Sequence, residues 1–285
     1  MGILFALIYA TVVSIGKIIL KKSFAEFKPS VSFFWETVFG ILIWLPLGFL
    51  LGGTAEEALR VLPIALLGAI LSEAYIFYIY TKGDISIIGT VFPTYSIFTI
   101  FFSALLLNES LSNLEIIAVL LTLFGIFTIV VETSLSKLLK SAMPVLWALS
   151  GAFAVGIGDT LAKGGINETS AYSFLIALGI AQIPVALAFL TLEKSDMKST
   201  FGALSYLKKY KFPLIAAFLI ALAQFFFWLA FEGTKASIAS PLTSTNTAFT
   251  ALFAYFILKE KLGLRKTLGV CLVIIGILVT SLASN

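Results

Sequence analysis

Histidine is absent from the chain, cysteine occurs once, and only 12% of the residues are charged. Without histidine the commonest metal ligand and general base is missing, and with it any serine–histidine or cysteine–histidine nucleophile. No catalytic residue, metal site or cofactor is therefore expected. Cys271 has no partner for an intrachain disulfide and reads as a small packing residue inside the last apolar run. Long polar segments are also scarce. The longest connection, 193–211, is lysine-rich with a weak amphipathic stretch over Phe201–Leu207, too short to hide a soluble domain. No glycine-rich phosphate loop occurs. The net charge of +4 is spread over loops between apolar runs, which is not a nucleic-acid footprint, so no nucleic-acid partner is expected.

What is present is apolar. Hydrophobic residues make up 60% of the chain and the mean hydropathy is +1.07, so the lipid bilayer is its solvent. A crossing helix needs about 20 apolar residues, and ten such runs fit: 3–20, 31–52, 61–80, 85–107, 113–131, 143–162, 171–192, 212–231, 236–258 and 264–282. The first run has no small-residue cleavage site after it and matches the sixth, so it reads as a retained helix rather than a signal peptide.

The chain repeats itself. Moving 85–131 onto 236–282, a shift of 151, brings thirteen of 47 residues into identity without a gap, among them Ser86/Ser237, Thr94/Thr245, Glu109/Glu260 and Gly125/Gly276. Each copy reads as two apolar runs joined by a charged turn, Leu107-Asn-Glu-Ser-Leu111 against Leu258-Lys-Glu-Lys-Leu262. Upstream, a shift of 142 places Leu4-Phe-Ala-Leu7 on Leu146-Trp-Ala-Leu149 and Gly16 on Gly158. A unit with an odd number of crossings must be inverted in its second copy, an arrangement common in alternating-access transporters. The expected fold is therefore an all-α membrane protein of ten transmembrane helices in two inverted five-helix repeats, 1–136 and 137–285.

Loop charge sets the orientation. Alternate connections carry fifteen lysines and arginines on one face, including Lys21, Lys28, Lys208, Lys259 and Arg265, against three on the other, Arg60, Lys163 and Lys235. The basic face is expected in the cytoplasm and both termini outside, with the cell (inner) membrane as location.

The doubled arrangement, with a fourth span running into Glu109 or Glu260 and a fifth carrying Gly125 or Gly276, resembles the drug/metabolite transporter superfamily and its ten-span EamA-type members. The resemblance covers about 3–282. It implies a secondary carrier of a small-molecule metabolite, often an exporter of amino acids or related solutes. It also implies that the first, third and fourth spans of each half line the cavity. Pro93 and Pro241, early in each fourth span, fall three positions out of register.

Ionisable groups inside a bilayer cost roughly 2.5–3.5 kcal/mol each on insertion scales, so each needs a partner or a purpose. Three polar pairs superpose in the repeats: Lys17 with Asp159, Glu73 with Gln224, and Tyr95 with Asn246. Glu73 leads, because it lies about eight residues, roughly 12 Å of rise, from its cytoplasmic end, too deep to snorkel. It can bind an amine or carry a proton; the competing reading is a structural pair with Lys17. Lys17 itself can reach the headgroups, or pair with Glu36 or Glu73. Asp159 is a gating or substrate contact, or a helix-end group; Glu232 is a solvated turn charge. Asn246, within Thr243-Ser-Thr-Asn-Thr247, must face a neighbouring helix or water, and Tyr95 shares that ambiguity. Among the aromatic runs after Glu73 and Gln224, Tyr78 and Trp228 are the candidates to line a pocket, with lipid contact as the alternative.

Amino-acid or amphiphilic metabolite export leads. Organic-cation or drug efflux through Glu73 is the alternative, and a membrane enzyme or a channel lacks the required nucleophile or continuous polar pore. Nothing in the sequence calls for a second copy, so a monomer is expected. Orientation is tested with cysteines at Ser199 and Ser284 in a Cys271→Ala background. An impermeant thiol reagent applied to intact cells should label Ser284→Cys and spare Ser199→Cys; the reverse pattern overturns the assignment.

Overall fold

The computed structural model describes residues 1–21, 28–80, 88, 91–131, 142–195, 207–259 and 263–283. Helix is the only regular structure among them, as a chain solvated by lipid requires, since helices satisfy every backbone group internally. The crossings are α1 Gly2–Lys21, α2 Pro29–Leu50, α3 Ala55–Gly68, α4 Tyr95–Leu106, α5 Asn113–Val130, α6 Ala142–Glu168, α7 Ala171–Leu192, α8 Leu207–Gly233, α9 and α10 Leu264–Ala283. α9 comes in two pieces, Ala236–Ser244 and Asn246–Leu258. α3 continues through a π-helical turn, Ala69–Ala74, into Tyr75–Tyr80, and α4 is entered through a 3₁₀ turn, Phe92–Thr94. The start of the fourth span (85–87, 89–90), Glu260, most of the Phe201–Leu207 stretch, the boundary between residues 136 and 137, and loop lysines such as Lys22, Lys82, Lys137, Lys140, Lys198 and Lys261 lie outside the described residues.

Caps explain where helices begin. Pro29 opens α2, where its missing N–H costs nothing. Thr54 accepts from the Glu57 amide at 3.2 Å and starts α3 at Ala55, well before the expected residue 61, with Glu56 and Glu57 favourably placed in the first turn. Ser112 and Glu115 form a capping box at α5. α6 runs on to Glu168, beyond the expected 162, so Lys163 is no loop charge; it is buried and donates to the Phe231 carbonyl at 2.5 Å.

Exchange each helix for the one five places along and the packing is preserved. α2 packs on α7, α5 on α10 and α4 on α9, pairs that map onto themselves. α1 on α8 mirrors α6 on α3, α2 on α8 mirrors α7 on α3, and α4 on α6 mirrors α9 on α1. Equivalent helices run in opposite directions because each half has an odd number of crossings, so the pseudo-two-fold axis lies in the membrane plane.

Backbone detail follows the same operator. Thr94, ending the 3₁₀ turn before α4, has φ −63° and ψ −12°; Thr245, at the break in α9, has φ −61° and ψ −11°. Asn108 and Lys259, likewise 151 apart, are both left-handed, at φ 52° and 55°, a conformation few residues other than glycine adopt. The interruptions thus fall in register although the prolines do not.

The α5–α10 contact needs glycine. A Cβ on Gly125 would lie 2.7 Å from the Gly269 carbonyl and 2.8 Å from the Val273 nitrogen, and one on Gly276 would lie 2.8 Å from the Thr122 nitrogen and 3.1 Å from the Ala118 carbonyl. The two sets exchange under the shift of 151. Small residues allow backbones in lipid to approach this closely, where dispersion replaces the hydrophobic effect between helices. Gly125→Ala and Gly276→Ala should each destabilise the protein by about 1–3 kcal/mol through overpacking. Gly68→Ala, with nothing within 4 Å of the added Cβ, should be neutral or stabilising. Thermal unfolding of the three variants in one detergent checks this.

Candidate functional site

Glu73 and Gln224 meet. The Gln224 Nε2 donates to Glu73 Oε1, and both residues are buried. Because the repeat operator exchanges them, their contact lies on the pseudo-two-fold axis at the centre of the bundle. The π-helical turn of α3 carries Ser72 and Glu73. Such turns insert an extra residue into a helix, re-aim the side chains around it and occur frequently at functional sites.

Two more carboxyls join this centre. Glu36 of α2 and Asp159 of α6 are 2% and 1% exposed, and both lie within electrostatic range of Glu73. Tyr9 of α1 is within range of all three and of Tyr95. Its ring meets Phe227 edge-on at 5.0 Å. The Ser72 hydroxyl is aimed at α6, where it is the nearest atom to any Cβ built on Gly158. Ser72 and Asp159 lie beside one another, yet neither Ser72 Oγ nor Asp159 Oδ2, both buried, makes a well-formed hydrogen bond among the described residues. None of the three carboxyls has an ion-pair partner among them either.

Lys17 is elsewhere. Its amine donates to Asn246 Oδ1 at 2.8 Å, so the expected pairing with Glu36 or Glu73 is not formed. The correction has a local cause: Asn246 is the first residue after the break in α9 and is held there by two bonds. Its side-chain amide donates to the Thr243 carbonyl at 2.7 Å, and its own carbonyl accepts from Ser14 at 2.8 Å. That leaves Oδ1 free to receive the ammonium. Tyr95, first after the equivalent interruption, lies beside Ser96, Thr243 and Ser244 and packs against Ala152 and Val155 of α6. Ser96 and Ser244 bond one another across α4 and α9 at 2.5 Å.

Of the aromatic candidates, Tyr78 stacks on Tyr75 at 6.3 Å and meets Trp147 edge-on at 6.0 Å. Trp228 is 1% exposed among Phe174, Phe227 and Phe231. Neither belongs to the carboxyl group; Trp228 is separated from Tyr9 by the ring of Phe227. Sequence reasoning passed over Tyr9 altogether and weighed Glu36 only as a neutraliser for Lys17. A polar set on an otherwise apolar first span, Tyr9, Ser14 and Lys17, was the available signal.

The end of the bundle at which α4 and α8 finish is tied across the halves. Glu109, after α4, caps the first piece of α9: it accepts from the Ala236 and Ser237 amides at 2.8 and 2.9 Å and from the Ser237 hydroxyl at 2.6 Å. Lys235 pairs with Glu115 at 3.0 Å and donates to the Ser110 carbonyl at 2.8 Å. Glu232, expected as a simple turn charge, accepts from the Ala171 amide at 2.9 Å and so caps α7.

These features define a multi-pass, all-helical membrane protein of inverted-repeat transporter architecture with polar groups at its symmetry axis. The chain belongs to the EamA-like transporter family, whose model matches residues 1–131 and again residues 142–282. An uncharacterized protein of Methanocaldococcus jannaschii is 27% identical over 140 residues, 49% of this chain and 97% of that protein. An uncharacterized transporter of Clostridium kluyveri is 30% identical over 122 residues, 43% of this chain but only 38% of that protein. A protein of known crystal structure aligns at a TM-score of 0.77 over 100% of this chain and 99% of its own, at 12% identity, and so shares the fold.

The Lys17 geometry predicts a specific coupling. In a double-mutant cycle on thermal stability, Lys17→Met with Asn246→Leu should show about 1–2 kcal/mol of interaction. Lys17→Met with Glu73→Gln should show none, and Glu73→Gln should not rescue Lys17→Met.

Proposed function

We propose that this transporter is a secondary carrier that moves an amino acid or similar amphiphilic solute outward across the cell membrane by alternating access. The halves 1–136 and 137–285 are its rocking units, and both termini face outside. The observation that carries the reading is the pairing of Glu73 with Gln224 on the axis, between halves that must move relative to one another. One partner can change charge and the other cannot, so the axis holds a single switchable group. Lys17 and Asn246 offer a donor site for a solute carboxylate, and Glu73 offers an acceptor for its ammonium, which gives a zwitterion both of its contacts. The ties from Glu109 and Lys235 suit a state closed on the outer side, with solute loaded from the cytoplasm.

Organic-cation efflux is the second reading. It is favoured by one observation, the excess of buried carboxyls over buried ammonium groups at the centre.

The test is Glu73→Gln in proteoliposomes. The amide keeps shape and hydrogen-bonding capacity, so the variant should remain folded yet lose concentrative transport. Counterflow, which needs no proton turnover, survives if Glu73 carries a proton and vanishes if it binds the solute. Undiminished uphill transport by the variant would remove Glu73 from the mechanism.

A further inference from the structure

Glu36, Glu73 and Asp159 bring three carboxyls to the centre of a membrane protein, and the described residues supply them with no cation. The ammonium of Lys17 is directed to Asn246 instead. Buried charges without partners cost several kcal/mol each in effective terms. Each carboxyl must therefore be neutralised by a proton or by a cation that the protein does not provide. Among the described residues no three acidic side chains converge closely enough to hold one metal ion together.

Two neutral groups point the same way. The Ser72 hydroxyl is buried, lies against α6 beside Asp159, and makes no well-formed hydrogen bond among the described residues. Tyr9 lies within electrostatic range of all three carboxyls. Buried hydroxyls rarely go unsatisfied in a native fold. Both are placed to serve a guest that lies against Asp159 and Glu73 together.

We infer that the solute is a basic amino acid, with two separated amines and one carboxylate. This rests on the carrier reading above and narrows it. The α-ammonium is received by Glu73, the side-chain ammonium by Asp159 with Ser72, and the carboxylate by Lys17 beside Asn246. Glu36 lies within range of Glu73 and keeps its own proton, while the two protons that the guest displaces from Glu73 and Asp159 leave the site. A neutral amino acid would leave Asp159 without its cation, and an acidic one would add a further negative charge to the carboxyl group.

The experiment is L-lysine counterflow in proteoliposomes with unlabelled L-lysine, L-leucine and L-glutamate as competitors. Wild-type protein should show L-lysine competing at least about tenfold better than L-leucine, the factor set by about 1.4 kcal/mol of discrimination, with L-glutamate weakest. Asp159→Asn, checked for folding by its thermal midpoint, should lower the lysine-to-leucine preference at least about tenfold. If L-leucine competes as well as L-lysine in wild type, the inference is overturned and the carrier reading stands; that arm depends on no variant. An unchanged preference in folded Asp159→Asn overturns it as well. If folded wild-type protein gives no counterflow and L-leucine and L-glutamate likewise fail as substrates, both readings fall.

Discussion

A carboxyl at the centre of a membrane protein is held in place here by one amide, and the rest of the architecture makes that contact possible. Glu73 and Gln224 occupy the same position in two copies of one unit, so they can touch only where the two-fold axis passes between α3 and α8. The axis in turn depends on α5 and α10 meeting at glycines, on α2 lying against α7, and on α4 crossing α9. Each of these is a helix packing against its own repeat. Displacing any one of them would break the symmetry that brings the carboxyl to its donor. Insertion of an unpartnered glutamate costs roughly 2.5–3.5 kcal/mol at mid-bilayer, a penalty comparable to that of a badly packed core.

A contact on a two-fold axis also has a mechanical property. Rocking about that axis changes distances at the two ends of the bundle far more than at its centre. The ties from Glu109 to the start of α9 and from Lys235 to Glu115 are at one end and cross between halves. On the proposed mechanism they must break in every cycle, whereas Glu73 and Gln224 can remain close throughout. Strong charge-assisted bonds at the rim and a single switchable group at the pivot are what such a motion requires.

The fold was legible because the constraints on it are coarse. Bilayer thickness fixes span length, and an internal repeat fixes pairing, so ten crossings and their inversion could be read directly. Span limits were less accurate where polar residues belong to helices: Thr54 and Glu57 start α3 early, and Lys163 is carried inside α6 by residues that a hydropathy threshold discards. The site was only partly legible. Repeat equivalence singled out Glu73 and Gln224, which meet, and Asp159, which lies within electrostatic range of Glu73. It could not find Glu36, whose equivalent at a shift of 142 is Leu178, or Tyr9, whose equivalent is Gly151. It also misplaced the partner of Lys17, since the break at Thr245 that presents Asn246 is a backbone event with its proline four residues away.

The two copies have kept their backbone and exchanged their chemistry. Thr94 and Thr245 interrupt their helices with the same torsions, and Asn108 and Lys259 turn left-handed in the same place. Yet Lys17 stands opposite Asp159, Glu73 opposite Gln224, and Tyr95 opposite Asn246. Geometry is thus duplicated while charge is not, and the first half contributes Glu36, Glu73 and Lys17 where the second contributes Asp159 and Asn246. A guest that spans Glu73 and Asp159 touches both halves at once. Its affinity then depends on how the halves are disposed, and a ligand shifts a conformational equilibrium only through such a difference in affinity. Placing the carboxyls on different halves is what allows binding at the centre to be felt at the rim.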